Sequence, residues 1–68
     1  MAFKENDKIR HVKSNNVYFI VGTPHKFRIE KTNEPAYAYQ KNRMSAIWIR
    51  PKAEMEDGRF QLWDELDD

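Results

Sequence analysis

The chain has 68 residues, 40% of them hydrophobic and 34% charged, with no cysteine and a formal net charge of +1. That length allows one domain burying only roughly 60% of its unfolded surface, too small for a deep catalytic cleft. The missing cysteine excludes a disulfide framework, a zinc knuckle and thiol chemistry. No long apolar stretch follows Met1, so neither a secretory signal nor a membrane span is read, and a cytoplasmic location is the default expectation.

The charge is unevenly spread. Residues 1–50 hold ten Lys/Arg against four acids, a net +6, whereas residues 51–68 hold two against seven, a net −5. A basic body with an acidic end is the compositional feature that invites a functional reading.

In chain order, residues 1–7 are polar and read as a flexible lead-in with Phe3 as their one anchor. A single small β domain is expected over 8–63. Lys8-Ile9-Arg10-His11-Val12-Lys13 reads as a first strand of mixed polarity. Ser14-Asn15-Asn16 supplies turn chemistry, because asparagine tolerates the left-handed backbone of tight turns. The run Val17-Tyr18-Phe19-Ile20-Val21, all β-branched or aromatic and too short for a helix, is the central strand. A two-residue turn at Asn15-Asn16 pairs Lys13 with Tyr18, Val12 with Phe19, His11 with Ile20 and Arg10 with Val21. That register puts Val12, Val17, Phe19 and Val21 on one face, read as the core, and Ile9, His11, Tyr18 and Ile20 on the other.

Gly22-Thr23-Pro24 breaks this strand. His25–Glu30 alternates as a further strand, with Phe27 and Ile29 inward. After the loop Lys31–Pro35, Ala36-Tyr37-Ala38-Tyr39-Gln40 sets two tyrosines on one face and two alanines on the other, the small residues implying close approach of another layer. Ala46–Arg50 is a strand stopped by Pro51, with Ile47 and Ile49 in the core and Trp48 and Arg50 on the opposite face. Lys52–Glu56 makes one helical turn, Asp57-Gly58 a turn, and Arg59–Trp63 a last strand with Phe60 and Leu62 on one face. Asp64–Asp68 is an acidic tail, read as frayed. No internal repeat, low-complexity segment or linker is read.

Short strands at close intervals, with one helical turn before the last, predict an all-β fold. The choice is a small SH3-like β-barrel or a strongly bent antiparallel sheet. Arg10-His11-Val12-Lys13, Tyr18–Gly22, Thr32–Pro35 ahead of Tyr39-Gln40, and Ile47-Trp48-Ile49-Arg50-Pro51 with Met55 following also carry a resemblance. In order and spacing they resemble a family of small bacterial proteins of uncharacterised function, marked by an Arg-His-x-Lys opening and a Trp-x-Arg-Pro segment. The similarity spans about residues 9–60 and implies a compact domain of SH3-like type. It implies no activity.

Candidate sites are few. His11 and His25, without cysteine, fall short of a zinc set, so no metal and no cofactor are expected. Ser14 and Ser45 sit beside turns with no nucleophile logic around them, and the isolated Gly22 and Gly58 make no phosphate loop, so no enzyme is expected. What remains is an aromatic platform of Tyr37, Tyr39 and Trp48 flanked by Arg28, Arg43 and Arg50. Such a surface suits an extended peptide of a protein partner, which is the first reading. The alternative is single-stranded nucleic acid, with bases stacked on the aromatics. Unpaired strand edges also make a homodimer credible.

Overall fold

The computed structural model describes residues 2–63, so the acidic tail lies outside the described residues. Five strands form one antiparallel sheet: β1 (Lys8–His11), β2 (Val17–Gly22), β3 (Ala36–Gln40), β4 (Ile47–Pro51) and β5 (Phe60–Leu62). The strand order is β4-β3-β2-β1-β5, a four-strand meander whose last strand returns beside the first. One helical turn, α1 (Lys52–Met55), makes the return and buries Met55 completely.

The sheet is strongly bent. Phe60 of β5 lies 5.6 Å from the Tyr39 ring of β3, and the Arg50 guanidinium of β4 lies 5.8 Å from the Phe60 ring. In a flat sheet β4 and β5 would stand roughly 19 Å apart. A register shift between Ile20 and Gly22 on β2 inserts an extra residue where the curl is needed. The core inside the curl is Phe3, Ile9, Ile20, Tyr37, Tyr39, Met55 and Phe60, with Tyr18 and Leu62 packed against it.

The predicted strands at 17–21 and 36–40 hold, but the first hairpin differs. His11 N–H donates to Asn16 O at 2.8 Å and Asn15 N–H to His11 O at 2.7 Å, which makes Val12–Asn15 a four-residue loop. Ile9 therefore pairs with Tyr18 and Lys8 with Phe19. The slip is an even number of residues, so the partition into faces survives; the choice of core face is what inverts. Ile9 and Ile20 are buried completely while Val12 and Phe19 are each 40% exposed. The aromatic residues of β3 and β5 fill the Ile9/Ile20 side, and that volume decides the matter.

The same inversion holds in β4. Trp48 pairs with Tyr39 and Arg50 with Tyr37, which puts them on the core face, while Ile47 and Ile49 share the outer face with Gln40 and Ala38. The expected strand at His25–Glu30 is instead an arm that folds on itself through a bridge between Arg28 and Pro35. It supplies the layer that the alanines imply. A Cβ on Gly22, which pairs with Ala38, would stand 2.0 Å from the Phe27 ring, so glycine is the residue that admits the arm. The lead-in is held rather than loose: Phe3 is buried, Asn6 N–H donates to Ile20 O at 2.8 Å and Ile20 N–H to Asp7 O at 2.9 Å.

The arm also overturns the absence of a repeat. Arg28-Ile29-Glu30-Lys31-Thr32-Asn33-Glu34 matches Arg10-His11-Val12-Lys13-Ser14-Asn15-Asn16 as Arg-x-x-Lys-Ser/Thr-Asn, 18 positions on. Both loops close alike. Ile29 N–H donates to Glu34 O and Asn33 N–H to Ile29 O, as His11 and Asn15 do in the first loop. Asn15 and Asn33 take φ of 66° and 61°, and Ser14 and Thr32 each accept the N–H two residues on at 3.3 Å.

Candidate functional site

The six residues singled out from sequence separate into three places. Tyr37 is 1% exposed and Tyr39 6% exposed, so neither offers its ring as a surface. The Tyr37 hydroxyl accepts Phe3 N–H at 3.0 Å and donates to Glu56 Oε2 at 2.5 Å. Burial, reinforced by the Glu56 carboxylate, pushes its hydroxyl up to about 12. Partial burial works to raise Glu56, but the bonds from Tyr37 and from Lys52 Nζ outweigh it and hold the carboxyl below its ordinary value. This pair ties the lead-in to β3 and α1 and is structural.

Arg28 lies in the arm, where its guanidinium donates to Asn33 O at 3.0 Å. Arg43 lies in the β3–β4 turn beside a shallow groove of about 380 Å³ lined also by Asn6, Phe19, Val21, Gln40 and Asn42. Neither sits with the tyrosines as a flank.

Tyr39, Trp48 and Arg50 do come together. Arg50 Nε donates to the Tyr39 hydroxyl at 3.2 Å and Nη1 to Glu54 Oε1 at 3.1 Å. The Tyr39 bond, ahead of the Glu54 carboxylate, strengthens the already high basicity of Arg50 against the opposing effect of its burial. Arg50 also borders a groove of about 630 Å³ with His11, Val12, Lys13, Asp57 and Arg59. Its cations are largely spoken for: Arg59 reaches Glu54 at 3.4 Å and Asp57 at 3.1 Å.

Trp48 is different. It is 56% exposed, and its neighbours Ile47 and Ile49 are 55% and 47% exposed. Three consecutive large apolar residues therefore stand open on β4, an edge strand with no pairing on its outer side among the described residues. The main chain can be phased from its exit. Lys52 N–H donates to Pro35 O at 2.8 Å, in continuation of the pairing of Pro51 with Ala36. In an antiparallel ladder the main-chain groups alternate sides. Arg50 and Trp48 thus turn theirs to β3, while Ile47, Ile49 and Pro51 turn theirs outward. The N–H that proline lacks falls on the open side, the placement that admits proline to a strand.

Beyond the edge, Phe19, Phe27, Ile47 and Ile49 extend the exposed apolar surface across the outer face. Ile47, Ile49 and Phe19 were missed as surface residues because they read as core. The signal that marks β4 as an edge was present in Pro51.

No three His, Cys, Asp or Glu gather into a metal site among the described residues, and no described helix is long and apolar enough to cross a membrane. In comparisons with protein-family models, curated proteins and solved structures, the chain matches none of them.

Proposed function

We propose that the chain is a non-enzymatic interaction module that binds a protein partner along β4, by adding the partner's extended segment to the sheet. The observation that carries this reading is the run Ile47-Trp48-Ile49, each about half exposed on an edge with outward main-chain groups. Natural edge strands are blunted by charge, bulges or cover. Here the exposed centre of the edge is apolar, and charge begins only at Arg50. Main-chain pairing supplies affinity in such docking, and the side chains beside it supply selectivity; Trp48 is the anchor and Ile47 and Ile49 the flanking contacts. The cytoplasmic setting belongs to the same proposal, since a domain without cysteine needs no oxidising compartment. The resemblance to the small bacterial family supports the fold expectation and adds no ligand.

The nucleic-acid alternative draws support from the net +6 of residues 1–50, ten Lys/Arg against four acids, in a chain of net charge +1. It loses its stacking platform with Tyr37 and Tyr39 buried. Its two groove arginines already face Glu54 and Asp57.

The test places a photoreactive aromatic residue at position 48, with position 26 in the arm as control. A discrete protein adduct at 48, absent at 26 and competed by the unlabelled chain, is the expected result. Absence of such an adduct, together with an oligonucleotide that moves the amides of Lys13, Arg50 and Arg59 and whose affinity falls steeply with salt, overturns the reading in favour of nucleic acid.

A further inference from the structure

We propose that the partner segment β4 accepts is β4 of a second copy of the chain, paired antiparallel about a two-fold axis at Trp48. This rests on the interaction reading above and names its occupant.

Ile47 and Ile49 each present one outward N–H and one outward C=O, and Pro51 ends the donor series. A two-fold through Trp48 sets Ile47 opposite Ile49 of the other copy, and Ile49 opposite its Ile47. Both are hydrogen-bonded pairs of the ladder. Every donor at 47 and 49 then meets an acceptor at 49 and 47, with none left over. The edge is its own complement.

The side chains agree. Trp48 falls opposite its own copy at a non-hydrogen-bonded position, where side chains stand closest, and the two indoles cover each other on the core-side face. The isoleucines, about half exposed in the single chain, become four neighbours on the outer face. On that face Phe27 and, beyond Gln40, Phe19 add further exposed apolar surface in each copy. Arg50, drawn inward by Tyr39 and Glu54, falls opposite Ala46, so no charge is trapped between copies. The whole chain carries only +1, so net charge scarcely opposes the encounter. One strand on one strand is a small contact, and interfaces below about 1,200 Å² in total are weak and transient. The dimer is accordingly concentration dependent.

Sedimentation velocity and amide NMR of the full chain over a wide concentration series test this. The expected result is a rise in sedimentation coefficient with concentration, with amide shifts centred on Ile47–Ile49. Ile49→Pro removes an N–H that bonds nothing within the chain, and Ile49→Lys places a charge at a half-exposed position. Both are expected to keep a native, dispersed spectrum and to raise the dissociation constant roughly tenfold or more; in the proline variant this corresponds to losing the two bonds that Ile49 donates per dimer, and in the lysine variant to setting two charges in the apolar contact. A wild-type chain that stays monomeric throughout overturns the proposal. So does a dimer that persists in both variants, or one whose shifts centre on Phe60–Leu62. A monomer that still forms a discrete protein adduct at position 48 overturns the second copy alone and leaves the interaction module standing; a monomer with no adduct removes both.

Discussion

At the residue scale the clearest functional consequence is negative, and it concerns Tyr37. Its hydroxyl holds the Phe3 N–H and the Glu56 carboxylate at once, so Tyr37→Phe leaves two polar groups short of a partner. A loss of about 1–3 kcal/mol is expected, visible as a fall in Tm of roughly 4–8 °C for each kcal/mol. The pH dependence carries a second signature. The folded hydroxyl titrates near 12, above the ordinary 10.0, so its contribution is complete below the ordinary value and is lost as pH rises toward the folded one. Glu56, held below its ordinary value, acts at the other end: its contribution is present above the unfolded carboxylate range and lost as pH falls through the folded value. Tyr37→Phe should flatten the alkaline limb of a Tm-against-pH profile. An unchanged alkaline limb in that variant refutes the assignment.

At the scale of the element, the two matching loops make a comparison that one loop alone would not. Asn15 and Asn33 share a positive φ, which glycine adopts freely. Their side chains differ in use: Arg10 Nη1 donates to Asn15 Oδ1 at 2.8 Å, whereas Arg28 binds the main-chain oxygen of Asn33. Asn33→Gly should therefore be near neutral, and Asn15→Gly should cost about 0.5–1.5 kcal/mol more, read by chemical denaturation. Equal costs would mean that the Arg10 bond contributes nothing. The arm that carries the second loop predicts a further result. Gly22→Ala puts a methyl group where the Phe27 ring lies and should destabilise by about 1–3 kcal/mol. Truncating Phe27 as well should remove that added cost, and a double-mutant cycle measures the coupling. This scale also shows how far the residues spoke for themselves. Period-two alternation found β3 to the residue, and turn chemistry found that the chain reverses at Ser14–Asn16. Loop length, which sets the pairing of Lys8–His11 with Val17–Gly22, is decided by hydrogen bonds local to Val12–Asn15 and left no trace in the hydrophobic pattern.

At the scale of the whole molecule, the all-β class and the bent sheet were legible because strands outnumber every other element and one helical turn precedes the last. The side of the sheet that becomes interior was not. Both faces of Val17–Val21 are apolar, and the decision falls to residues distant in sequence: Phe3, Tyr39 and Phe60 close over Ile9 and Ile20. The candidate site inherited that ambiguity. Once the faces exchange, the expected platform of Tyr37 and Tyr39 becomes core and the expected core residues Ile47 and Ile49 become surface.

The return of β5 to β1 has a consequence in time. Ile9 finds its partner Leu62 only when nearly the whole described chain is present, whereas β1–β2 and β3–β4 are joined by short connections. Local hairpins form within microseconds, and distant pairings wait on the entropy of closing a long loop. During synthesis the β1 side of the meander is thus bare until Phe60–Leu62 emerges. Truncating Leu62 should accelerate unfolding and leave the refolding rate nearly untouched, whereas substitutions in the Val12–Asn15 loop should slow refolding. Stopped-flow chevrons of the two classes would show which end of the chain commits first.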